Sequence, residues 1–141
     1  MEHPTVFPTL SYDDADAALD FLTRAFAAET HAVYRSDEGV IHHAEVRLGN
    51  GIVMFGAARD DGVATLGRGG GIYVVVDDPD AHCARARSDG AEIVRDLHDT
   101  EYGSRDYSAR DPEGNMWHFG TYQPFCYAQS GSETAGAAAT A

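Results

Sequence analysis

The chain has 141 residues, of which 43% are hydrophobic, and its 23 acidic and 10 basic residues give a formal net charge of −13. A single domain of this length buries enough surface to be stable without a metal or a disulfide. The acidity argues against binding to nucleic acid or to an anionic membrane; it favours a cationic ligand, or serves only to keep the protein soluble.

The predicted elements follow one order twice, because the sequence contains an internal repeat with an offset of 64 residues. The stretch DDADA at 13–17 recurs as DDPDA at 77–81, and MFG at 54–56 recurs as HFG at 118–120. Two copies of this length indicate a duplicated supersecondary module rather than a solenoid.

In the first half, a strand is predicted over Phe7–Tyr12 and a helix over Ala15–Ala28, with Asp14 as the N-cap. Three further strands are predicted at His31–Ser36, Val40–Leu48 and Gly51–Ala57. Asn50-Gly51 is typical of a two-residue hairpin turn between the last two strands.

In the second half, the run Ile72–Val76 is so rich in β-branched residues that we expect a strand buried on both faces. A helix is predicted over Pro79–Asp89, with Asp78 as its N-cap and Gly90 at its end. The strands that follow are predicted at Glu92–Leu97, Arg105–Arg110 and Asn115–Tyr122.

The fold class is therefore α+β, with two tandem βαβββ modules. The first module covers residues 5–57 and the second covers residues 71–123. The stretch 58–70 is interpreted as a linker, and the small, polar stretch 124–141 as a flexible tail.

Three stretches of the sequence match motifs of one known superfamily. LSYDDADAALDFL at 10–22 is similar to the opening strand and helix of glyoxalase/bleomycin resistance domains. HAEVRLG at 43–49 resembles the "HAELRIG" strand of the PhnB-like branch, and YGSR at 102–105 followed by DPEGNMW at 111–117 resembles the closing motif. Over residues 5–123 the chain thus resembles the vicinal-oxygen-chelate (VOC) superfamily of glyoxalases, bleomycin resistance proteins and extradiol dioxygenases.

The resemblance implies a cup-shaped mixed sheet around a small-molecule pocket, in many members completed by a second copy, so a homodimer is expected. Metal-dependent members take ligands from the first and last strand of each module, and the matching positions here are Phe7, Met54, Gly71 and His118. Phenylalanine and glycine have no donor atom, and methionine has only a thioether. The resemblance therefore implies that the inherited metal site is lost, and with it the usual lyase and dioxygenase chemistry.

A rebuilt metal centre is the alternative. His43 and Glu45 are two residues apart on a predicted strand and so share a face, where His118 could join them as a His₂–carboxylate site for a divalent metal. The competing interpretation, which we favour, is a polar pair that hydrogen-bonds across the sheet, since the spacing does not show that the three side chains converge.

We expect the pocket to be lined by aromatic and polar side chains. Aromatic rings would stack on a planar ligand, while Arg105 would either orient an anionic or carbonyl group or form a structural salt bridge. The predicted ligand-binding residues are Phe7, His43, Glu45, Phe55, Tyr102, Arg105, Tyr107, Trp117 and His118.

Two functions follow from these expectations. The first is a binding protein that needs no cofactor and sequesters an aromatic or cationic natural product, as antibiotic-resistance proteins of this type do. The second is a metal-dependent enzyme, a lyase or dioxygenase that uses the His43/Glu45/His118 centre.

The expected location is the cytoplasm. The N-terminus lacks a basic region followed by an apolar stretch, and the apolar runs are too short to span a bilayer. Cys83 and Cys126 have no zinc-binding or CxxC spacing, so free thiols are expected.

Overall fold

The computed structural model describes residues 3–58 and 70–126, and these residues form an α+β fold of two tandem modules. The first module consists of β1 (Thr9–Tyr12), α1 (Ala15–Ala25), β2 (Glu29–Arg35), β3 (Ile41–Leu48) and β4 (Gly51–Ala57). The second consists of β5 (Gly71–Val75), α2 (Pro79–Ser88), β6 (Glu92–Asp99), β7 (Arg105–Arg110) and β8 (Met116–Gly120). The predicted linker at 58–70 and tail at 124–141 lie mostly outside the described residues.

Each module forms a four-stranded mixed sheet, with strand orders β1-β4-β3-β2 and β5-β8-β7-β6. The first and fourth strands of each module pair in parallel, and the other neighbours are antiparallel. The sequence repeat is visible in the register, since Thr9 pairs with Met54 in one sheet and Tyr73 pairs with His118 in the other. The 64-residue offset is therefore a structural repeat.

Both helices begin as the sequence predicted. The side chains of Asp14 and Asp78 accept hydrogen bonds of 3.0 Å from the backbone N–H groups of Ala17 and Ala81, which satisfies one free donor at each helix start. Helix α2 ends at the C-cap Asp89, and Gly90 follows with a φ of 94°. This left-handed conformation is open to glycine because it has no Cβ.

Two local predictions were wrong. Strand β5 is not buried on both faces, because Tyr73 and Val75 point to the outward side of the sheet and are 37% and 39% exposed. The turn between β3 and β4 is Gly49-Asn50 rather than Asn50-Gly51, because Leu48 pairs with Gly51 and Gly49 takes a φ of 64°.

The hydrophobic core is continuous between the two modules. Phe26, at the end of α1, packs against Trp117 and Phe119 of β8, with ring centroids 5.3 and 4.8 Å apart. The helix-facing side of each sheet is buried in this core, which leaves the other side of each sheet to face outward. No helix among the described residues is both long enough and apolar enough to cross a membrane.

The turn at 111–114 joins the modules. Buried Asp111 accepts hydrogen bonds from the Tyr12 hydroxyl at 2.6 Å and from Nε1 of Trp117 at 3.1 Å. The Glu113 carboxylate accepts the backbone N–H groups of Asp13 and Asp14 at 2.7 and 2.8 Å, at the start of α1. Burial, and then the charge of Asp111, raise the pKa of Tyr12, so the phenol remains a donor. The motif DPEGNMW at 111–117 therefore clamps the two modules together.

Candidate functional site

The outward face of each sheet lines an open cleft, and each cleft draws its lining from one module. Cleft 1 has a volume of about 300 Å³ and is lined by Thr9, Leu10, Ser11, Val40, Ile41, His42, His43, Met54, Phe55, Gly56, Ala57 and Ala58. Cleft 2 has a volume of about 1020 Å³ and is lined by Tyr73, Val94, Arg95, His98, Asp99, Thr100, Glu101, Tyr102, Asp106, Ser108, Met116, His118, Tyr122 and Pro124. Cleft 2 is large enough for an organic ligand of drug size.

The floor of cleft 2 is built around His118 on β8. Its Nδ1 lies 2.7 Å from the Ser108 hydroxyl on the neighbouring strand β7. Its Nε2 points towards Gly71 on β5, where an added Cβ would lie only 3.0 Å away. The imidazole therefore fills the space that a side chain at position 71 would need.

The mouth of cleft 2 carries three tyrosines and a carboxylate. The Tyr73 hydroxyl donates to Oδ1 of Asp106 at 3.2 Å and accepts the backbone N–H of Tyr122 at 2.9 Å. The rings of Tyr73 and Tyr102 each meet the ring of Tyr122 edge-to-face, with centroids 6.3 and 5.6 Å apart. Burial, with a smaller effect from the charge of Asp106, raises the pKa of Tyr73 to about 12, so its hydroxyl stays a hydrogen-bond donor at neutral pH.

The polar pair that the sequence suggested lies beside cleft 1, with His43 in its lining. Nε2 of His43 lies 2.8 Å from Oε2 of Glu45, and His31 on β2 approaches the other oxygen of Glu45 at 3.8 Å. His31 lies at a register shift between Thr30 and Ala32, and a bulge of this kind re-aims a side chain. The arrangement is a half-buried imidazole–carboxylate pair.

The rebuilt centre is not assembled within one chain. His43 lines cleft 1, whereas His118 lines cleft 2 and is hydrogen-bonded to Ser108. In residues 3–58 and 70–126, no group of three or more His, Cys, Asp or Glu side chains is arranged to hold a metal ion.

The inherited ligand positions do not fit a metal either. Gly71 is next to His118 but has no side chain, and a Cβ added there would lie in tight contact with the imidazole, 3.0 Å from Nε2. Phe7 precedes β1 and is 38% exposed, and Met54 offers only a thioether. A site with one imidazole lacks the three or so nitrogen or carboxylate donors that a catalytic divalent metal needs.

Two predicted pocket residues lie instead in the core. The side chains of Tyr107 and Trp117 are fully buried and pack on the helix side of their sheets. The prediction for these residues was wrong because successive strand residues point to opposite faces. Since His118 faces the cleft, its neighbour Trp117 faces the core.

Arg105 does not line either cleft. Its guanidinium contacts the carboxylates of Asp80 at 2.7 Å and Asp99 at 3.0 Å, so the structure supports the salt-bridge interpretation. Hydrogen bonding to Arg105 lowers the pKa of Asp80. Of the predicted residues, His43, Phe55, Tyr102 and His118 do line clefts, although Phe55 is only 3% exposed, and Glu45 is hydrogen-bonded to His43.

The predicted set of ligand-binding residues omits nine polar or aromatic residues of cleft 2. These residues are Tyr73, Arg95, His98, Asp99, Thr100, Glu101, Asp106, Ser108 and Tyr122. The signal for two of them was strand alternation, because Asp106 and Ser108 flank the buried Tyr107 and must share the opposite face.

Comparisons with known proteins agree with this architecture. The sequence profile of the Glyoxalase/Bleomycin resistance protein/Dioxygenase superfamily matches residues 3–119. An uncharacterized protein of Mycobacterium tuberculosis strain H37Rv is 33% identical over 129 residues, which cover 83% of this chain and 74% of that protein.

Comparison with solved structures supports the same fold. The crystal structure of TioX from Micromonospora sp. ML1 has a TM-score of 0.71 and 32% identity, and the match covers 85% of this chain and 97% of TioX. A lactoylglutathione lyase from Agrobacterium tumefaciens has a TM-score of 0.60 with 21% identity, covering 84% of this chain and 94% of the lyase.

Proposed function

Because the chain belongs to the Glyoxalase/Bleomycin resistance protein/Dioxygenase superfamily, we propose that it binds and sequesters an aromatic or cationic natural product, such as an antibiotic, without a metal cofactor. The observation that carries this proposal is the pair Gly71 and His118. Where metal-dependent relatives would place two ligands, this chain has one imidazole, and that imidazole fills the space of the missing side chain.

Cleft 2 supports the same proposal through its size and lining. A volume of about 1020 Å³ accommodates a drug-sized molecule. The tyrosine rings at its mouth offer flat apolar surface, while the hydroxyls and carboxylates can fix the orientation of a ligand.

The experiment is a thermal-shift screen of planar aromatic and cationic natural products, run with and without EDTA. We expect at least one class of compound to raise the unfolding temperature, since a ligand that binds only the folded state stabilises it. We also expect the shift to be the same in EDTA. A shift that disappears in EDTA and returns with an added divalent metal would contradict the proposal.

A second candidate is a metal-dependent lyase or dioxygenase, and the contact between His43 and Glu45 is the observation in its favour. In a homodimer that joins cleft 1 of one chain to cleft 2 of the other, His118 of the partner subunit could complete the set. Elemental analysis of protein purified without chelators separates the candidates. One transition metal per site, lost in both His43→Ala and His118→Ala variants, would favour the enzyme.

A further inference from the structure

Asp106 is a carboxylate in the lining of cleft 2, and it has no cationic partner within residues 3–58 and 70–126. It is half-buried, and its hydrogen bonds come from two neutral hydroxyls, that of Tyr73 at 3.2 Å and that of Ser104 at 3.4 Å. Nearby Asp80 and Asp99 are both neutralised by Arg105, whereas Asp106 forms no ion pair with any residue that the structure describes. A partly desolvated negative charge therefore faces the cleft.

The tyrosines around this carboxylate add to its attraction for a cation. The faces of aromatic rings carry negative potential, and a cation held over a ring is attracted more strongly once it is desolvated. Tyr73, Tyr122 and Tyr102 form a continuous edge-to-face series, with interplanar angles of 78° and 79°. The series begins at the ring whose hydroxyl donates to Asp106.

Gly120 makes this arrangement possible. A Cβ at this position would overlap Oδ1 of Asp106 and would lie 2.7 Å from the Tyr73 hydroxyl. The carboxylate and the phenol thus occupy the space over β8 that a larger residue would fill. The strand has no side chain at the one point where the two groups meet.

We propose that Asp106, together with Tyr73, Tyr102 and Tyr122, forms a subsite for a positively charged nitrogen on the bound molecule. The ligand class is then an organic cation, with an aromatic or apolar body in cleft 2 and an amine, ammonium or heteroaromatic cation at Asp106. This inference rests on the proposed function, since it specifies the ligand of the same cleft.

The test uses two probes of equal shape, N-methylquinolinium, which is a permanent cation, and 1-methylnaphthalene, its neutral isostere. Dissociation constants are measured by equilibrium dialysis on the intact protein. We expect the wild type to prefer the cation by about tenfold or more. We expect Asp106→Asn to abolish that preference while leaving the affinity for 1-methylnaphthalene unchanged.

Glu101→Gln is the matched control, because Glu101 lines the same cleft and its loss changes the net charge equally. It should keep most of the preference, and circular dichroism and the unfolding midpoint establish that both variants fold. If Asp106→Asn and Glu101→Gln lose the preference for the cation equally, the preference comes from the overall negative charge of the cleft. The proposed subsite at Asp106 is then wrong. If the wild type binds both probes equally, the proposed subsite is also wrong, but the proposed function stands. A wild type that binds neither probe nor any compound in the thermal-shift screen would overturn both.

Discussion

At the scale of single residues, Gly56 and Gly120 occupy equivalent positions in the repeat, yet they are surrounded differently. A Cβ at Gly120 would meet the far ends of two side chains, Asp106 and Tyr73. A Cβ at Gly56 would lie 2.5 Å from the backbone oxygen of His42, which cannot move without bending β3. The same substitution should therefore affect binding in one module and folding in the other.

We expect Gly120→Ala to reduce the preference for N-methylquinolinium at a smaller cost in stability than Gly56→Ala, because the whole Asp106 side chain can turn away whereas a backbone oxygen cannot. Gly56→Ala should instead lower the free energy of unfolding by about 1–3 kcal/mol, the usual effect of overpacking. Urea unfolding and equilibrium dialysis on both variants check this. Equal destabilisation of the two would contradict the assignment of Gly120 to the ligand subsite.

Asp111 gives a second prediction at this scale. Replacing it with Asn places an N–H₂ group among donors, including the Tyr12 hydroxyl and Nε1 of Trp117. A buried indole N–H cannot reverse its role, so we expect Asp111→Asn to cost on the order of 2 kcal/mol of unfolding free energy. Asp37→Asn, in an exposed turn, is the control and should stay near zero. A cost for Asp111→Asn no larger than that of the control would show that the clamp contributes little to stability.

At the scale of elements, local patterns predicted most of the secondary structure. Gly51–Ala57 and Arg105–Arg110 were predicted with the bounds that the structure has. The faces to which strand side chains point were predicted less well. The alternation of side chains along a strand would have given the right faces, because Trp117 and His118 are adjacent and cannot both face the cleft. Contacts between modules could not be predicted at all. Periodicity does not indicate that Glu113 reaches the start of α1 across the chain.

His82 connects three elements and gives a prediction on pH. Its Nε2–H donates to the backbone oxygen of Phe26 at 3.0 Å, so its Nδ1 accepts the hydroxyl of Tyr107 at 2.6 Å. Burial lowers the pKa of His82 below its ordinary value. The neutral imidazole is thus favoured in the folded state, and its contribution to stability is present above about pH 6.5 and is lost as the pH falls through the folded-state pKa.

We therefore expect the free energy of unfolding of the wild type to fall between pH 7.5 and pH 5 more steeply than that of His82→Gln, whose side chain does not titrate. Urea titrations at several pH values measure the difference. His42→Gln, at an exposed histidine, should keep the wild-type pH dependence. Parallel curves for wild type and His82→Gln would show that His82 is not the group responsible.

At the scale of the whole molecule, each sheet forms one open cleft on its outward side. Each of clefts 1 and 2 is lined by one module only, and the helices pack on the opposite side of the sheets. Large apolar side chains stay exposed along these faces, among them Tyr34, Val40, Val75 and Val94. Exposed apolar surface of this kind marks a surface for association. We expect a homodimer in which cleft 1 of one chain covers cleft 2 of the other, with a small molecule enclosed between them.

Mixing two defective variants tests this arrangement. His43→Ala alters cleft 1 and Asp106→Asn alters cleft 2, and each alone should weaken binding of N-methylquinolinium. If each site combines cleft 1 of one chain with cleft 2 of the other, a hybrid dimer has one doubly altered site and one intact site. Equal mixing after unfolding and refolding should then restore about a quarter of the wild-type capacity. If each site belongs to one chain, every site in the mixture carries one alteration. In that case no high-affinity binding returns, even though light scattering shows a dimer.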